Sequence, residues 1–151
     1  MKPTSDATRL IAQNKKARHE YEILETMEAG LALMGSEVKS LREGKVSFKD
    51  GYVRFQDGNA VLVGVHIAPY VHAVHTGHEP ERPRRLLLHR HQINAWSAKA
   101  AQKGLTVVPL KMYWKAGRAK VEVGLARGKK HHDQREDLKR RAMEREMERE
   151  G

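Results

Sequence analysis

Asp57-Gly58 separates two apolar runs, Tyr52 to Phe55 and Ala60 to Ile67. This is the strongest short-range hairpin signal in the chain, because a two-residue turn of this kind wants residues that tolerate positive φ. The second run is expected to place Val61, Val63, Val65 and Ile67 on one face. A second hairpin is written around Ala116-Gly117. Val108, Leu110, Met112 and Trp114 line one face before it, and Val121, Val123 and Leu125 line one face after it. Pro109 has no N–H to donate to a ladder, so it implies an edge or a bulge. Upstream, from His19, Tyr21, Ile23, Met27, Leu31 and Leu33 recur at period two, with Glu20, Glu22 and Glu28 opposite. That alternation predicts a long half-buried strand. Gly30 inside it predicts a bulge or bend. Arg84-Arg85 leads into Leu86-Leu87-Leu88-His89, a further short strand.

Helical signals are few and short. Gly35-Ser36 offers an N-cap, Val38 and Leu41 share a face, and Gly44 closes the segment, leaving Lys39 and Arg42 exposed. Ile93, Trp96 and Ala100 give a second helix stopped by Gly104. The expected fold is therefore mainly β: an OB-like antiparallel barrel of about six strands with two or three short helices. Residues 1–18 read as a mobile basic segment, 19–127 as the barrel, and 128–151 as a flexible basic C-terminal tail.

The tail is almost pure charge. Glu136 can pair with Arg140, Asp137 with Arg141, and Arg140 with Glu144, but like charges stack at the same spacing at Arg141, Arg145 and Arg149. An isolated helix of that length is marginal in water, so disorder in the free protein and helix on binding are expected.

With 151 residues and a formal charge of +10, the chain is one domain plus appendages, with a field that attracts polyanions. It has no cysteine, which removes disulfides, thiolate chemistry and zinc knuckles. The longest apolar run, Ala60 to Val65, is too short to span a bilayer, and nothing near Met1 resembles a signal core. A cytoplasmic location, without membrane contact or small-molecule substrate, is the expectation. The 5% aromatic content argues against a broad base-stacking platform.

Basic residues gather at Lys15, Lys16 and Arg18, at Lys39 and Arg42, and from Arg82 to His91. His19, Tyr21 and His89 interleave with them and offer planar surfaces for looped-out bases. Glu28 is a carboxylate in this basic field. It can accept from guanine or a 2′-hydroxyl, or pair with a neighbouring arginine. His72, His75 and His78 recur every third residue, a spacing that metal ligands also use, but no carboxylate or cysteine completes a set. His131-His132-Asp133 lies on the tail, without the fixed orientation that acid–base catalysis requires. No metal site, cofactor or catalytic activity is expected.

Several segments, in order, resemble the SsrA-binding (SmpB) family: Asn14 to Tyr21, Glu28-Ala29-Gly30, Gly35 to Arg42, Arg85 to His89, Val108-Pro109-Leu110, and Gly128-Lys129-Lys130 with His132-Asp133. The resemblance covers about Asn14 to Arg135. It implies an OB-like barrel that binds the tRNA-like domain of transfer-messenger RNA in trans-translation, the rescue of stalled ribosomes. Carried over by position, Glu28, Leu87 and His89 contact that RNA. Lys15, Lys16, Arg18, His19 and Tyr21 are phosphate and base contacts, and Lys39 and Arg42 extend the basic surface. Lys129, Lys130, His132, Asp133 and Arg135 meet small-subunit rRNA in the decoding centre, with the tail helical in the empty message channel. Elongation factor Tu with alanyl-tmRNA is an implied partner, and a monomer is expected. Gln134 stands where the family often has Lys, Met143 where it often has Trp, and His89 where some relatives have Asn. A generic OB-fold RNA chaperone or ribosome-associated protein is the alternative function, and a histidine-based metal nuclease a third.

Overall fold

The computed structural model describes residues 8–72 and 77–128. Nine strands and three helices follow in order: β1 Thr8–Gln13, α1 Lys15–Glu20, β2 Tyr21–Leu31, α2 Gly35–Arg42, β3 Val46–Ser47, β4 Tyr52–Gln56, β5 Asn59–Val63, β6 His66–Ile67, β7 Arg84–Leu87, α3 Arg90–Lys103, β8 Thr106–Lys115 and β9 Arg118–Gly128. The main sheet runs β1-β8-β4-β5-β7-β2-β9, and β9 also pairs with β8. Six strands, β8-β4-β5-β7-β2-β9, thus close a ring, with β1 added beside β8. The ring is an OB-like antiparallel arrangement but not a strict barrel, because the β4–β8 seam rests on the single register pair Val53↔Val107. Val53, Leu62, Leu86, Val107, Met112, Val121, Val123 and Leu125 fill its interior, with Ile93 and Trp96 of α3 packed in.

Both hairpins form as expected. Asp57 and Gly58 have φ of 53° and 76°, and Ala116 and Gly117 have 51° and 76°. Positive φ at both central residues matches the right-handed twist of the flanking strands. Gly44 and Gly104 close α2 and α3 with φ of 70° and 64°.

The face assignments change where the strands bulge. In β2 the register shifts between Ile23 and Glu25, not at Gly30. Leu24 is the extra residue, so Tyr21 and Ile23 point away from the interior while Met27, Ala29 and Leu31 point into it. Gly30 itself lies in regular ladder opposite both Leu87 and Lys120. The same happens in β8 at Leu110, beside Pro109 as expected. Val108 and Leu110 join a small second cluster with Ala17 and Ala126, whereas Met112 stays in the main core. A period-two reading cannot register an inserted residue, which moves every later side chain to the other face.

Other expectations also shift. Residues 8–18 form β1 and most of α1 rather than part of a mobile segment, and β2 begins at Tyr21 rather than His19. The run Ala60–Ile67 breaks at Gly64, φ 78°, so Ala60 and Leu62, not Val61, face the core. β7 starts at Arg84, two residues before the apolar triplet. The N-cap of α2 is Met34, one residue before Gly35. Its N–H donates to Glu37 Oε1 at 2.8 Å, while Ser36 Oγ is bonded to His78 Nδ1 at 2.8 Å.

Glu37 and Arg84 are fully buried and pin α2 to β7. Arg84 donates to Glu37 Oε2 at 2.5 Å and to the Val65 and Pro80 carbonyls, each at 2.9 Å. Arg82 donates to Glu37 Oε1 at 2.5 Å. Burial alone would raise the Glu37 carboxyl's pKa, but Arg82, the Met34 amide and Arg84 outweigh it and hold the group below its ordinary value. Breaking such a pair leaves an uncompensated buried charge, so Glu37→Ala should lose about 3–5 kcal/mol in denaturant unfolding. A group with a lowered folded-state value stabilises fully above its unfolded value and loses that contribution as pH falls through the folded one. The gap between parent and Glu37→Ala should therefore be widest near neutrality and narrow in strong acid.

Candidate nucleic-acid interface

α1 is short and held by one buried asparagine. Asn14 Oδ1 accepts from the Ala17 N–H at 3.2 Å as the N-cap. Its Nδ2 donates to the Pro109 carbonyl and its backbone N–H to the Leu110 carbonyl, each at 2.8 Å. The bulge in β8 thus presents the carbonyls that Asn14 grips. Ala17, 4% exposed, seats the helix on Val108, Leu110 and Ala126.

This anchoring splits the basic cluster. Lys15 and Arg18 line a small cleft with Gln13, Leu110 and Lys111. Arg18 also meets Glu122 at 3.5 Å. Lys16 and Tyr21 face a different cleft, of about 190 Å³, shared with Lys49, Asp50 and Tyr52. There Lys16 donates to Asp50 Oδ1 at 2.9 Å, which raises its pKa. His19 is exposed.

Directly opposed residues of antiparallel strands project to the same side. Leu87 opposes Gly30, and Gly30 opposes Lys120. Glu28 opposes Glu122, Glu122 opposes Lys111, Lys120 opposes Tyr113, and Tyr113 opposes Leu10. Leu87, Glu28, Lys111, Tyr113 and Lys120 therefore share one outward face spanning β7, β2, β9 and β8. Leu87 is 49% exposed, whereas its neighbour Leu86 is buried. A Cβ on Gly30 would lie 3.2 Å from that of Leu87, so glycine here lets the leucine lie against the sheet. Beside it a cleft of about 470 Å³ runs between Leu33, Val38, Trp114, Arg118 and Lys120.

Glu28 pairs with no arginine in the described structure. Its Oε2 accepts a short hydrogen bond from the Tyr113 hydroxyl, with Lys115 Nζ at 3.4 Å. The Tyr113 bond is the main reason its carboxyl lies below the ordinary value; burial opposes this, and Lys115 assists. His89 is the N-cap of α3, its ring stacked on His91 at 5.6 Å and 7°. Lys39 and Arg42 sit apart on exposed positions of α2, where Lys39 Nζ lies 5.4 Å from the Tyr70 ring centroid.

Lys111, Tyr113, Lys115 and Lys120 were not among the expected contacts. Their signal was present as the polar alternates of Leu110, Met112 and Val121, a pattern ordinarily read only as a solvated face. His78 leaves the loop-histidine set because both ring nitrogens are used internally, Nε2 at 2.8 Å from the Ile67 carbonyl and Nδ1 on Ser36. His72 packs edge-on against Tyr70, and His75 lies outside the described residues. Among the described residues no cluster of three or more His, Asp or Glu is placed to hold a metal, and no helix is long and apolar enough to cross a membrane. Lys129, Lys130, His132, Asp133, Gln134, Arg135 and Met143 also lie outside the described residues.

Because Asn14 both caps α1 and ties it to β8, Asn14→Ala should cost about 1–2 kcal/mol in thermal unfolding. Amide exchange should quicken first at Ala17 and Arg18.

The profile of the SmpB protein family matches residues 11–151. An SsrA-binding protein of Solidesulfovibrio magneticus is 66% identical over 142 residues, covering 94% of this chain and 92% of that protein. The SsrA-binding protein of Enterococcus faecalis is 52% identical over 141 residues, covering 93% and 92%. A solved chain described as "tmRNA-SmpB: a journey to the center of the bacterial ribosome" superposes with a TM-score of 0.67 at 54% identity, covering 80% of this chain and 85% of that one.

Proposed function

The chain belongs to the SmpB protein family, and from that premise we propose that it is an RNA-binding adaptor. It binds the tRNA-like domain of transfer-messenger RNA and brings it to stalled ribosomes for trans-translation. The observation that carries the reading on this molecule is the outward face that unites Leu87, Glu28, Lys111 and Lys120 across four strands. A folded RNA is recognised by shape, by phosphate contacts and by unstacked bases. This face offers cations for phosphate, an acceptor for donor groups on bases or riboses, and an exposed leucine for a base plane. His89 extends it at the start of α3, while Lys15, Arg18 and His19 flank it from α1. Lys16 and Tyr21 lie on the other side of α1, and Lys39 and Arg42 sit apart on α2; they add three cations and, at Tyr21, an aromatic ring beyond the face itself. The reading is one of binding, and no residue is assigned a catalytic part.

The division of labour places RNA capture on the ring and ribosomal accommodation on residues 128–151. In that division Lys129 and Lys130 neutralise rRNA phosphate, while His132, Asp133 and Arg135 engage bases of the decoding centre. Elongation factor Tu carrying alanyl-tmRNA is the partner expected to arrive with it, and the protein acts as a monomer.

Titration against transfer-messenger RNA and a tRNA of ordinary length, in matched salt, tests the adaptor reading. Clear preference for the former is expected; equal and steeply salt-dependent binding to both would mean a generic basic surface instead. A chain ending at Gly128 should keep its affinity for transfer-messenger RNA within about threefold yet lose ribosome rescue in a cell-free translation assay, because the phosphate and base contacts removed are those assigned to rRNA, not to the RNA held on the ring. Loss of RNA binding by that truncation would refute the division.

A further inference from the structure

Glu28 faces an electrostatic problem that the fold answers with one hydroxyl. On the sheet it stands directly opposite Glu122, and like charges so placed repel. Glu122 is drawn aside by Arg18 at 3.5 Å. Glu28 is held from the other direction, by Tyr113 across β9. Tyr113 is itself fixed: 8% exposed, opposed by Leu10 on β1 and Lys120 on β9, with Lys111 Nζ 5.5 Å from its ring centroid. Leu10, 53% exposed, lines a cleft of about 330 Å³ together with Glu28, Tyr113, Lys111 and Glu122.

We propose that Tyr113 is a positioning residue for RNA recognition: its hydroxyl clamps Oε2 of Glu28, turning the carboxylate away from Glu122 and presenting it to a nucleotide donor group in this cleft. The proposal rests on the adaptor reading and on Glu28 as an RNA contact. Oε1 of Glu28 has Lys115 Nζ at 3.5 Å, a long contact that a guanine N–H or a ribose hydroxyl can replace or join. The hydroxyl remains a donor throughout the physiological range, since burial, then Glu28 and Glu122, push the Tyr113 pKa upward. The same bond leads the causes that keep Glu28 ionised; burial opposes it, and Lys115 and Lys120 support it. Together with Glu122, Lys111 and Arg118, these are the charged groups on β8 and β9 that share its face.

The test uses the full chain, a transcript of the tRNA-like domain, and a pH series from about 3 to 8 at constant salt, a span that reaches below the ordinary glutamate value of about 4.3. Tyr113→Phe keeps the ring and removes the hydroxyl. Affinity at neutral pH should fall roughly tenfold, the scale of a hydrogen bond to a charged group. The acceptor is the ionised carboxylate, so binding is strongest above its pKa and fades as pH falls through it. Without the clamp that pKa rises, and the fading should begin at higher pH than in the parent. Glu28→Gln should weaken binding and abolish this pH step. The double variant should lose little more than Glu28→Gln alone, because the two side chains act as one unit.

Tyr113→Phe with the parent's affinity and pH profile would overturn the proposal while leaving Glu28 as a contact. A pH-independent loss that tracks a lowered melting temperature would assign Tyr113 a purely structural part and overturn it as well. If Glu28→Gln binds like the parent, the fault lies earlier, in the reading of Glu28 as an RNA contact. Should Tyr113→Phe not fold, the pH step in Glu28→Gln decides: its persistence there would remove the carboxylate, and with it the clamp, from recognition.

Discussion

Two inserted residues, Leu24 in β2 and Leu110 in β8, set the architecture. They flank β9 from both sides and act as a matched pair. Each turns the end of its strand so that Ile23 and Leu110 meet over Gly124, where a Cβ would come within 3.1 Å of Ile23 and 3.0 Å of Leu110. A glycine at that point lets a second apolar cluster form outside the ring. That cluster is the seat of α1, and the β8 bulge also turns the Pro109 and Leu110 carbonyls toward Asn14. Without the bulges, Tyr21, Ile23, Val108 and Leu110 would compete for the ring interior, and the basic helix would have nothing to stand on.

The opposite flank is governed by charge. Glu37 and Arg84 are both fully buried, and each is satisfied by groups from distant parts of the chain. Directional bonds of this kind tolerate little displacement, so α2, the Pro80 turn and β7 share one geometry. β7 carries Leu87 and leads into His89, which means that the outward face inherits its placement from an ion pair inside the molecule.

The six strands of the ring, both tight hairpins, α2 and α3 were legible in the sequence, because they rest on local signals: paired turn residues, period two, and Gly at helix ends; β1 and β3 were not. α1 was hidden because its stability is not local. Its six residues depend on Asn14 reaching across to β8, a partner 95 residues away. The faces of β2 and β8 were misread because an inserted residue leaves no compositional mark. Leu87 was singled out by resemblance, and Glu28 and His89 by their place among basic residues as well, whereas Tyr113 carried no such mark: a tyrosine between core residues reads as packing until register places its hydroxyl on another strand's carboxylate. Arg84 was read as part of a basic stretch. Only the fold reveals that it points inward and cannot touch RNA.

β9 ends at Gly128, opposite Tyr21, and along its length it is laddered to β2 on one side and β8 on the other. Any force that residues beyond Gly128 transmit enters the domain through this strand. A strand held on both edges resists traction far better than one at a sheet margin, since both ladders must slide together before it yields. The weak β4–β8 seam, by contrast, lies outside that load path. A pull at Gly128 would thus be shared between two ladders rather than one before it reached the outward face.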